Sequence, residues 1–473
     1  MPIPVVSLAQ MREWEKATWE AGRTQEGVIR RVGHLAAQRV LQLTRTGDLI
    51  VVMAGKGHNG DDSRQTSQHL TDREIYLINV QDPAAALDEF RFQLSLSPAL
   101  IIDGIFGIGL NRPLGPEWVR LIDEINRAGL PVLAVDIPSG LNAETGEPQG
   151  AAVRATTTIT LAAPKIGLLS PKAWPYVGRL EVLPDIGLVP CPLKSEIQWT
   201  LPHDFSEFPH MRRAHTHKGS YGHLAILAGS VGYHGAAALA ARGAARARPG
   251  LVSVFTAPQV YVPVASRLEQ QMVHPWQPGT QLPDGTTAVL CGPGLAGPDV
   301  PAELKEFVGR LWLEFDKPVV VDASALAWLP AGKETKALRV ITPHPGEAGQ
   351  MLGVSAAVVQ EDRPGSVRQL SRKFGNCWVV LKGHQTLIGS NNGKLFVNPS
   401  GNPYLAQGGS GDVLSGFIAG WLAQPELQTE PLMALRYAVF QHGAAADFLS
   451  TSSRNWVLEE LIQQLGAVNS TAV

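Results

Sequence analysis

The chain has 473 residues, with 40 Lys+Arg against 42 Asp+Glu for a formal charge of −2. That length calls for two domains, each able to bury its own core. The near balance of charge gives no electrostatic reason to expect nucleic acid or an anionic membrane as partner. Cys191, Cys291 and Cys377 lie far apart without metal-ligand spacing, and no apolar run approaches membrane-spanning length, so a reduced, cytoplasmic protein is expected.

In chain order, Val32, Leu35, Ala36, Val40 and Leu43 follow helical spacing, and Leu49 to Met53 reads as a buried strand. Further short apolar runs follow at Ile75 to Val80, Leu100 to Ile102, Val132 to Val135 and Thr157 to Leu161, with a helical stretch at Glu117 to Ala128. Continuous apolar strands separated by helices predict a parallel sheet covered on both faces. Prolines 184, 190, 192, 202 and 209 break the pattern from Leu183 to Pro209, which marks the boundary between domains at residues 1–200 and 210–473. A second strand series runs through Leu224 to Leu227, Val252 to Phe255, Ala288 to Leu290, Val319 to Val321, Val340 to Thr342 and Trp378 to Leu381. Helices are expected at Val413 to Leu422 and Met433 to Phe448, and the tail after Phe448 carries no recognisable chemistry. The fold class is α/β, with two three-layer α/β/α domains in tandem.

Ligands of open parallel sheets bind beyond the carboxyl ends of the strands, and the polar and glycine motifs fall there. In the first half, Leu49 to Met53 runs into Ala54-Gly-Lys-Gly-His-Asn-Gly-Asp-Asp-Ser63, a turn of the kind that cradles phosphate. Ile101-Ile-Asp-Gly-Ile-Phe-Gly-Ile-Gly109 with Arg112-Pro-Leu-Gly115, Asp136-Ile-Pro-Ser-Gly-Leu-Asn142 and Ala163-Pro-Lys165 follow later strands. An Asp at a strand end is often a turn or cap, but several such ends converging on one sheet edge point to a site. In the second half come His217 to Gly222, Ala228-Gly-Ser230, Tyr233 to Ala237, Cys291-Gly-Pro-Gly-Leu295, Thr342-Pro-His-Pro-Gly-Glu347, Lys382-Gly-His-Gln-Thr386 and Gln407-Gly-Gly-Ser-Gly-Asp412. The last is the most informative. Its glycines leave backbone N–H groups free at a helix start, where the dipole favours an anion, and Asp412 opens the helix as a carboxylate placed to act as a base.

The second set of motifs resembles the ADP/ATP-dependent NAD(P)H-hydrate dehydratase family, whose fold is ribokinase-like, from about His217 to Leu422. The resemblance implies that Lys382, Gly383, His384, Gln385, Thr386 and Gly411 hold the adenine nucleotide, brought with Mg²⁺. It places Ala237, Gly294, His344 and Asp412 around hydrated NADH or NADPH, with Asp412 taking the proton of the C6 hydroxyl. One departure is visible: the family's Asp-Ala-Asp-Ala-Leu is Asp322-Ala-Ser-Ala-Leu326 here.

The first half resembles NAD(P)H-hydrate epimerase, a Rossmann-like domain often fused ahead of the dehydratase in bacteria, over roughly Arg12 to Leu188. It implies K⁺ held by Asn59, Asp103 and Ser139. It implies a substrate contacted by the loop His58, Asn59, Gly60, Asp61 and Asp62, by Gly107, Ile108, Gly109, Leu110, Asn111, Arg112 and Pro113, and by Asp136 as acid/base, with Lys165 stabilising charge. The family's Asn-Gly-Gly-Asp-Gly is Asn59-Gly-Asp-Asp-Ser63 here. Two readings stand: Asp61 sets bulk and a negative charge beside a diphosphate, a repulsion on the order of 1–4 kcal/mol, or the two carboxylates point to solvent with no effect.

Together the two resemblances imply a bifunctional repair enzyme using ADP or ATP and forming a homo-oligomer. A ribokinase-type small-molecule kinase would share the Gly-Ser-Gly-Asp loop but leaves Thr342 to Glu347, Lys382 to Thr386 and the first domain unexplained. The Asp61 change motivates a second alternative, a dehydratase whose N-terminal domain is non-catalytic.

Overall fold

The computed structural model describes residues 2–332 and 334–468, so the tail segment 469–473 lies outside the described residues. One compact unit is Ile3–Trp199, and the other begins at Thr200. The Pro-rich stretch contains that division but is not without structure. Arg179–Leu183 is a strand, and Ile197–Trp199 pairs antiparallel with Ile3–Pro4.

The first unit carries a fully parallel six-stranded sheet. Its order is Glu74–Asn79, Leu49–Ala54, Leu100–Gly104, Val132–Val135, Thr157–Leu161, Arg179–Leu183. Alternate residues of each strand face opposite sides. Val51, Met53, Ile101 and Val132 enter one core, while Ile50, Val52, Leu100, Ile102, Leu133 and Ile159 enter the other. Both faces are covered, which explains why these strands read as unbroken apolar runs. Helix starts carry their own signals: Ser7 and Gln10 form a reciprocal cap for Leu8–Glu20, Thr24 caps Gln25–Leu43, and Asp82 with Pro83 starts Pro83–Leu94. Leu49–Ala54 is flanked by the strand that follows it on one side and by Leu100–Gly104 on the other. The strand order reverses there, and a crevice for ligand opens.

The second unit orders nine strands as Leu395–Val397, Leu387–Gly389, Trp378–Leu381, Arg339–Ile341, Val319–Val321, Ala288–Cys291, His223–Leu227, Leu251–Thr256, Met272–Pro275. Pairing is parallel from Trp378–Leu381 to Met272–Pro275 and antiparallel beyond it. Sequence patterning missed Met272–Pro275 and Leu395–Val397, of four and three residues, while the strand expected after Thr386 is Leu387–Gly389.

A further correction concerns Ser410–Leu422, which starts three residues before the expected Val413. Asp412 is thus the third helical residue and does not open the helix. This helix lies against His234–Arg246 at backbone contact distance. A Cβ on Gly416 would sit 2.0 Å from the Ala240 carbonyl oxygen, and one on Gly243 would sit 2.3 Å from that of Val413. Behind them Pro431–Ser450 is buried on every side from Ala434 to Asp447. No helix among the described residues is long and apolar enough to cross a membrane.

Candidate active sites

In the second unit, Gly409 takes a left-handed backbone (φ 98°) and turns the chain into Ser410–Leu422. Val413 N–H already donates to Gly409 O, while the Gly411 and Asp412 amides have no acceptor among the described residues. Two free donors at a helix start make an anion site. The Asp412 carboxyl is pushed up to about 7, first by burial and then by the negative charges of Asp322 and Glu347, against the lowering effect of Lys382. A carboxylate poised there is suited to general-base work at neutral pH.

Lys382 follows the strand Trp378–Leu381 and sends its ammonium 2.6 Å from Asp322 Oδ1 and 3.9 Å from Glu347 Oε2. Burial works against its charge, but Asp322, Glu347 and Asp412 outweigh that and raise its pKa. His344 starts the helix Pro345–Leu352. Its Nδ1 accepts from the Gly346 and Glu347 amides at 3.0 and 3.3 Å, and Glu347 Oε2 accepts the His344 N–H at 2.8 Å. Gln385 is held at φ 53°, its side-chain nitrogen buried without an acceptor, and the buried Thr342 hydroxyl is also unpartnered. Ala237 is fully buried, so it offers shape and backbone only. Gly294 takes φ 66°, with Ser230 donating to its carbonyl at 2.6 Å.

Sequence reasoning missed two residues here. Arg363, buried, donates to Leu381 O at 3.0 Å and fixes the strand end before Lys382. His442, buried behind the loop, lies 3.5 Å from the Ser410 hydroxyl, and burial drives its pKa down to about 4.

In the first unit the expected 58–62 loop is the first turn of the helix His58–Gln68, which brings its residues onto a rigid element. Asp136 is held in a left-handed backbone (φ 64°), as is Ala162 (φ 63°), and meets Lys165 Nζ at 2.5 Å, with Leu161 N–H donating to the same oxygen at 3.1 Å. Lys165 is buried and also donates to Leu161 O at 2.9 Å. A non-glycine residue in that conformation is a marker of a functional site. Asp62 has its pKa raised well above the usual carboxylate range by burial, then by Asp136 and Asp61. Glu15, which no motif pointed to, is raised by burial and then by Asp136. It is carried by a segment strapped to the site, since Val6 N–H donates to Pro164 O and Ile166 N–H to Val6 O, both at 2.9 Å.

Asp61 is partly open to solvent and its carboxylate is paired. Arg64 Nη1 lies 2.9 Å from its carboxylate and Arg64 Nη2 donates to Gly55 O at 2.7 Å, while Nε donates to Asn79 at 2.9 Å. Ser63 donates to Asn59 O at 3.0 Å. Asn111, Arg112 and Pro113 are exposed, whereas Gly107 packs at Asn59, where a Cβ would come within 3.1 Å.

Asp103, Ser139 and Asn59 meet around Phe106. Ser139 Oγ donates to Asp103 at 2.5 Å, Phe106 N–H donates to Ser139 Oγ at 2.8 Å, and Asn59 Nδ2 donates to Phe106 O at 2.8 Å. Asn59 Oδ1 is buried with no donor facing it, and burial pushes Asp103 up to about 6 against its bonds to Ser139. An orphaned amide oxygen beside a hydroxyl and a carboxylate fits a hard monovalent cation. No group of three or more His, Cys, Asp or Glu suited to a metal occurs among the described residues.

Residues 224–465 match the family described as NAD(P)H-hydrate dehydratase, and residues 76–167 match the YjeF-related protein N-terminus. The bifunctional NAD(P)H-hydrate repair enzyme Nnr of Coxiella burnetii is 35% identical over 93% of both chains. Its Escherichia coli counterpart is 36% identical over 74% of this chain and 67% of its own. The chain belongs to the bifunctional NAD(P)H-hydrate repair enzyme family. A ribokinase-like superfamily protein of Enterococcus faecalis, 23% identical with a TM-score of 0.50 over 58% of this chain and 96% of its own, shares the fold of the second unit. As an NAD(P)H-hydrate repair enzyme, the chain departs from its family's wording at Asp61, Ser63 and Ser324. The YjeF-related match begins at residue 76, after the turn that contains the first two.

Proposed function

We propose that this chain repairs hydrated NADH and NADPH in two activities: it interconverts the R and S forms at C6 and dehydrates the S form at the expense of ADP. The observation that carries the reading is Asp412, a carboxyl near neutrality in the first turn of a helix whose Gly411 and Asp412 amides are free. Asp412 takes the proton of the C6 hydroxyl as that oxygen attacks the terminal phosphorus of ADP. The new O–P bond replaces the bond to AMP, which leaves. Elimination then breaks C6–O, releases inorganic phosphate, and returns the C5 proton to solvent as the ring double bond forms. The Gly411 and Asp412 amides meet the negative charge of the transferred group. Mg²⁺ would arrive with the nucleotide's phosphates.

In the first unit, Asp136 removes and returns a proton during epimerisation, so nothing is consumed, and Lys165 offsets charge beside it. Asn59, Asp103 and Ser139 would hold K⁺, which would supply a fixed positive charge near the substrate's oxygens.

The test uses purified protein, Mg²⁺, K⁺ buffer and a defined mixture of the two C6 epimers of hydrated NADH, followed by the absorbance of reduced nicotinamide. Complete recovery with ADP is expected. Recovery of only the S fraction would leave the dehydratase standing and identify a non-catalytic first unit. Absence of recovery with ADP or ATP would overturn the reading, and a stable phosphate ester in its place would identify a small-molecule kinase.

A further inference from the structure

We propose that Lys382 is a catalytic residue of the phosphoryl transfer, meeting the group in flight, and not a contact to the base or ribose of the nucleotide. The inference rests on the dehydratase reading above.

Its backbone is pinned: Lys382 N–H donates to Pro343 O at 2.9 Å, and Arg363 holds the preceding carbonyl. That anchoring leaves the side chain to be aimed by Asp322 at 2.6 Å, with Glu347 at 3.9 Å. The ammonium lies against the helix start, because a Cβ on Gly411 would be 3.3 Å from Nζ. An ammonium has three donors, and among the described residues only Asp322 claims one at hydrogen-bond distance. The free amides of Gly411 and Asp412 therefore share their anion site with a cation whose spare donors are within reach.

Charge makes the same point. The charged groups facing Asp412 are Asp322, just after the strand Val319–Val321, Glu347 from the helix Pro345–Leu352, and Lys382 itself. His442, on the helix behind, is neutral. Three carboxylates and one ammonium leave the site net negative. Without Lys382, the negative charge that develops on the phosphoryl group in flight would face these carboxylates with no cation to offset it. Lys382 is a compact point charge of the kind that serves phosphate, and Asp322 is its positioning residue. This arrangement also gives the retained Asp322 a role that does not need a second carboxylate at Ser324.

Lys382→Met, Lys382→Arg and the wild type are compared for ADP-dependent dehydration of the S hydrate. Expected for Lys382→Met is a fall in kcat of about 100-fold or more, with KM for ADP changed by less than about threefold and the acid limb of kcat/KM moved to higher pH as Asp412 loses its positive neighbour. Lys382→Arg, which keeps the charge, should recover part of kcat and return the limb toward the wild-type position. A raised KM with unchanged kcat and an unmoved limb would overturn the proposal. Calorimetric binding of ADP reads the residue without turnover. An affinity within about threefold of wild type in Lys382→Met supports the assignment, and a loss of tenfold or more overturns it. Failure of the wild type to dehydrate at all would be the failure of the dehydratase reading, visible before any variant is made.

Discussion

Asp61 is where a reading by charge alone goes astray. Its carboxylate sits in the first turn of His58–Gln68, but Arg64 one turn later meets it at 2.9 Å and ties it to Gly55 and Asn79. Both side chains are partly exposed, 45% for Asp61 and 28% for Arg64, so the pair contributes less than about 1 kcal/mol to stability. Its effect lies in the field at the site. Arg64→Ala is expected to raise the epimerase KM about three- to tenfold with little change in Tm, and the double variant with Asp61→Gly should return KM to near wild type. Equal KM values in all variants, from steady-state kinetics on the R hydrate, would remove Asp61 from the substrate's surroundings. A second expectation concerns Asp412. A base acts in its ionised form, so with a pKa of about 7 dehydration should fall tenfold per pH unit well below neutrality and level off above it. Asp412→Asn should cost about 100-fold or more above neutrality, a gap that narrows as the pH falls and the wild-type carboxylate is itself protonated. A flat profile in the wild type would exclude Asp412 as the base.

The helix Ser410–Leu422 reaches the active site only because glycines let it touch its neighbour. Gly416→Ala would force a methyl to within 2.0 Å of the Ala240 carbonyl oxygen, an overpacking of about 1–3 kcal/mol that lowers Tm and shifts the turn bearing Asp412. Gly309→Ala in the helix Ala302–Glu314 meets nothing within 4 Å and should raise stability by up to about 1 kcal/mol. Thermal melts of the two variants should move in opposite directions. Elements of this kind were unequally legible in the sequence. Central strands such as Val132–Val135 and Val319–Val321 announce themselves because both faces are buried. Met272–Pro275 is a four-residue edge strand with no residue fully buried, and its polar and apolar residues carry no period long enough to detect. The early start at Ser410 was hidden because Ser and Gly are weak helix formers, although the same residues announced the anion site.

At the scale of the whole molecule, each site is assembled from residues of its own unit: Asn59, Asp103, Asp136 and Lys165 in one, Asp322, Glu347, Lys382 and Asp412 in the other. Asp136→Asn is therefore expected to abolish recovery of the R hydrate while leaving S dehydration within about twofold, and Asp412→Asn should abolish recovery of both forms while leaving R-to-S interconversion, read by chromatography, within about twofold. Replacing K⁺ with a large organic cation should slow only the epimerisation. Residue motifs led to most of both sites because strand ends and glycine turns are written contiguously. Glu15, Arg363 and His442 were not legible, since each reaches its site from a helix whose sequence carries no phosphate or metal pattern and only the fold sets it there, while Arg64 directly follows the Asn59 to Ser63 motif but was not singled out.

His344 has one more consequence. Its Nδ1 accepts from two backbone amides, so the ring proton must sit on Nε2, and the ring cannot turn over without abandoning the start of its own helix. The imidazole is held in one tautomer, with Nε2 at 3.6 Å from Glu347 Oε1 as well as open to a ligand. A ligand offering a carbonyl oxygen at that point would be favoured over one offering an NH₂. On the proposed placement of the hydrated nicotinamide, whose carboxamide carries both on one carbon, the ring would also set which way round the carboxamide lies.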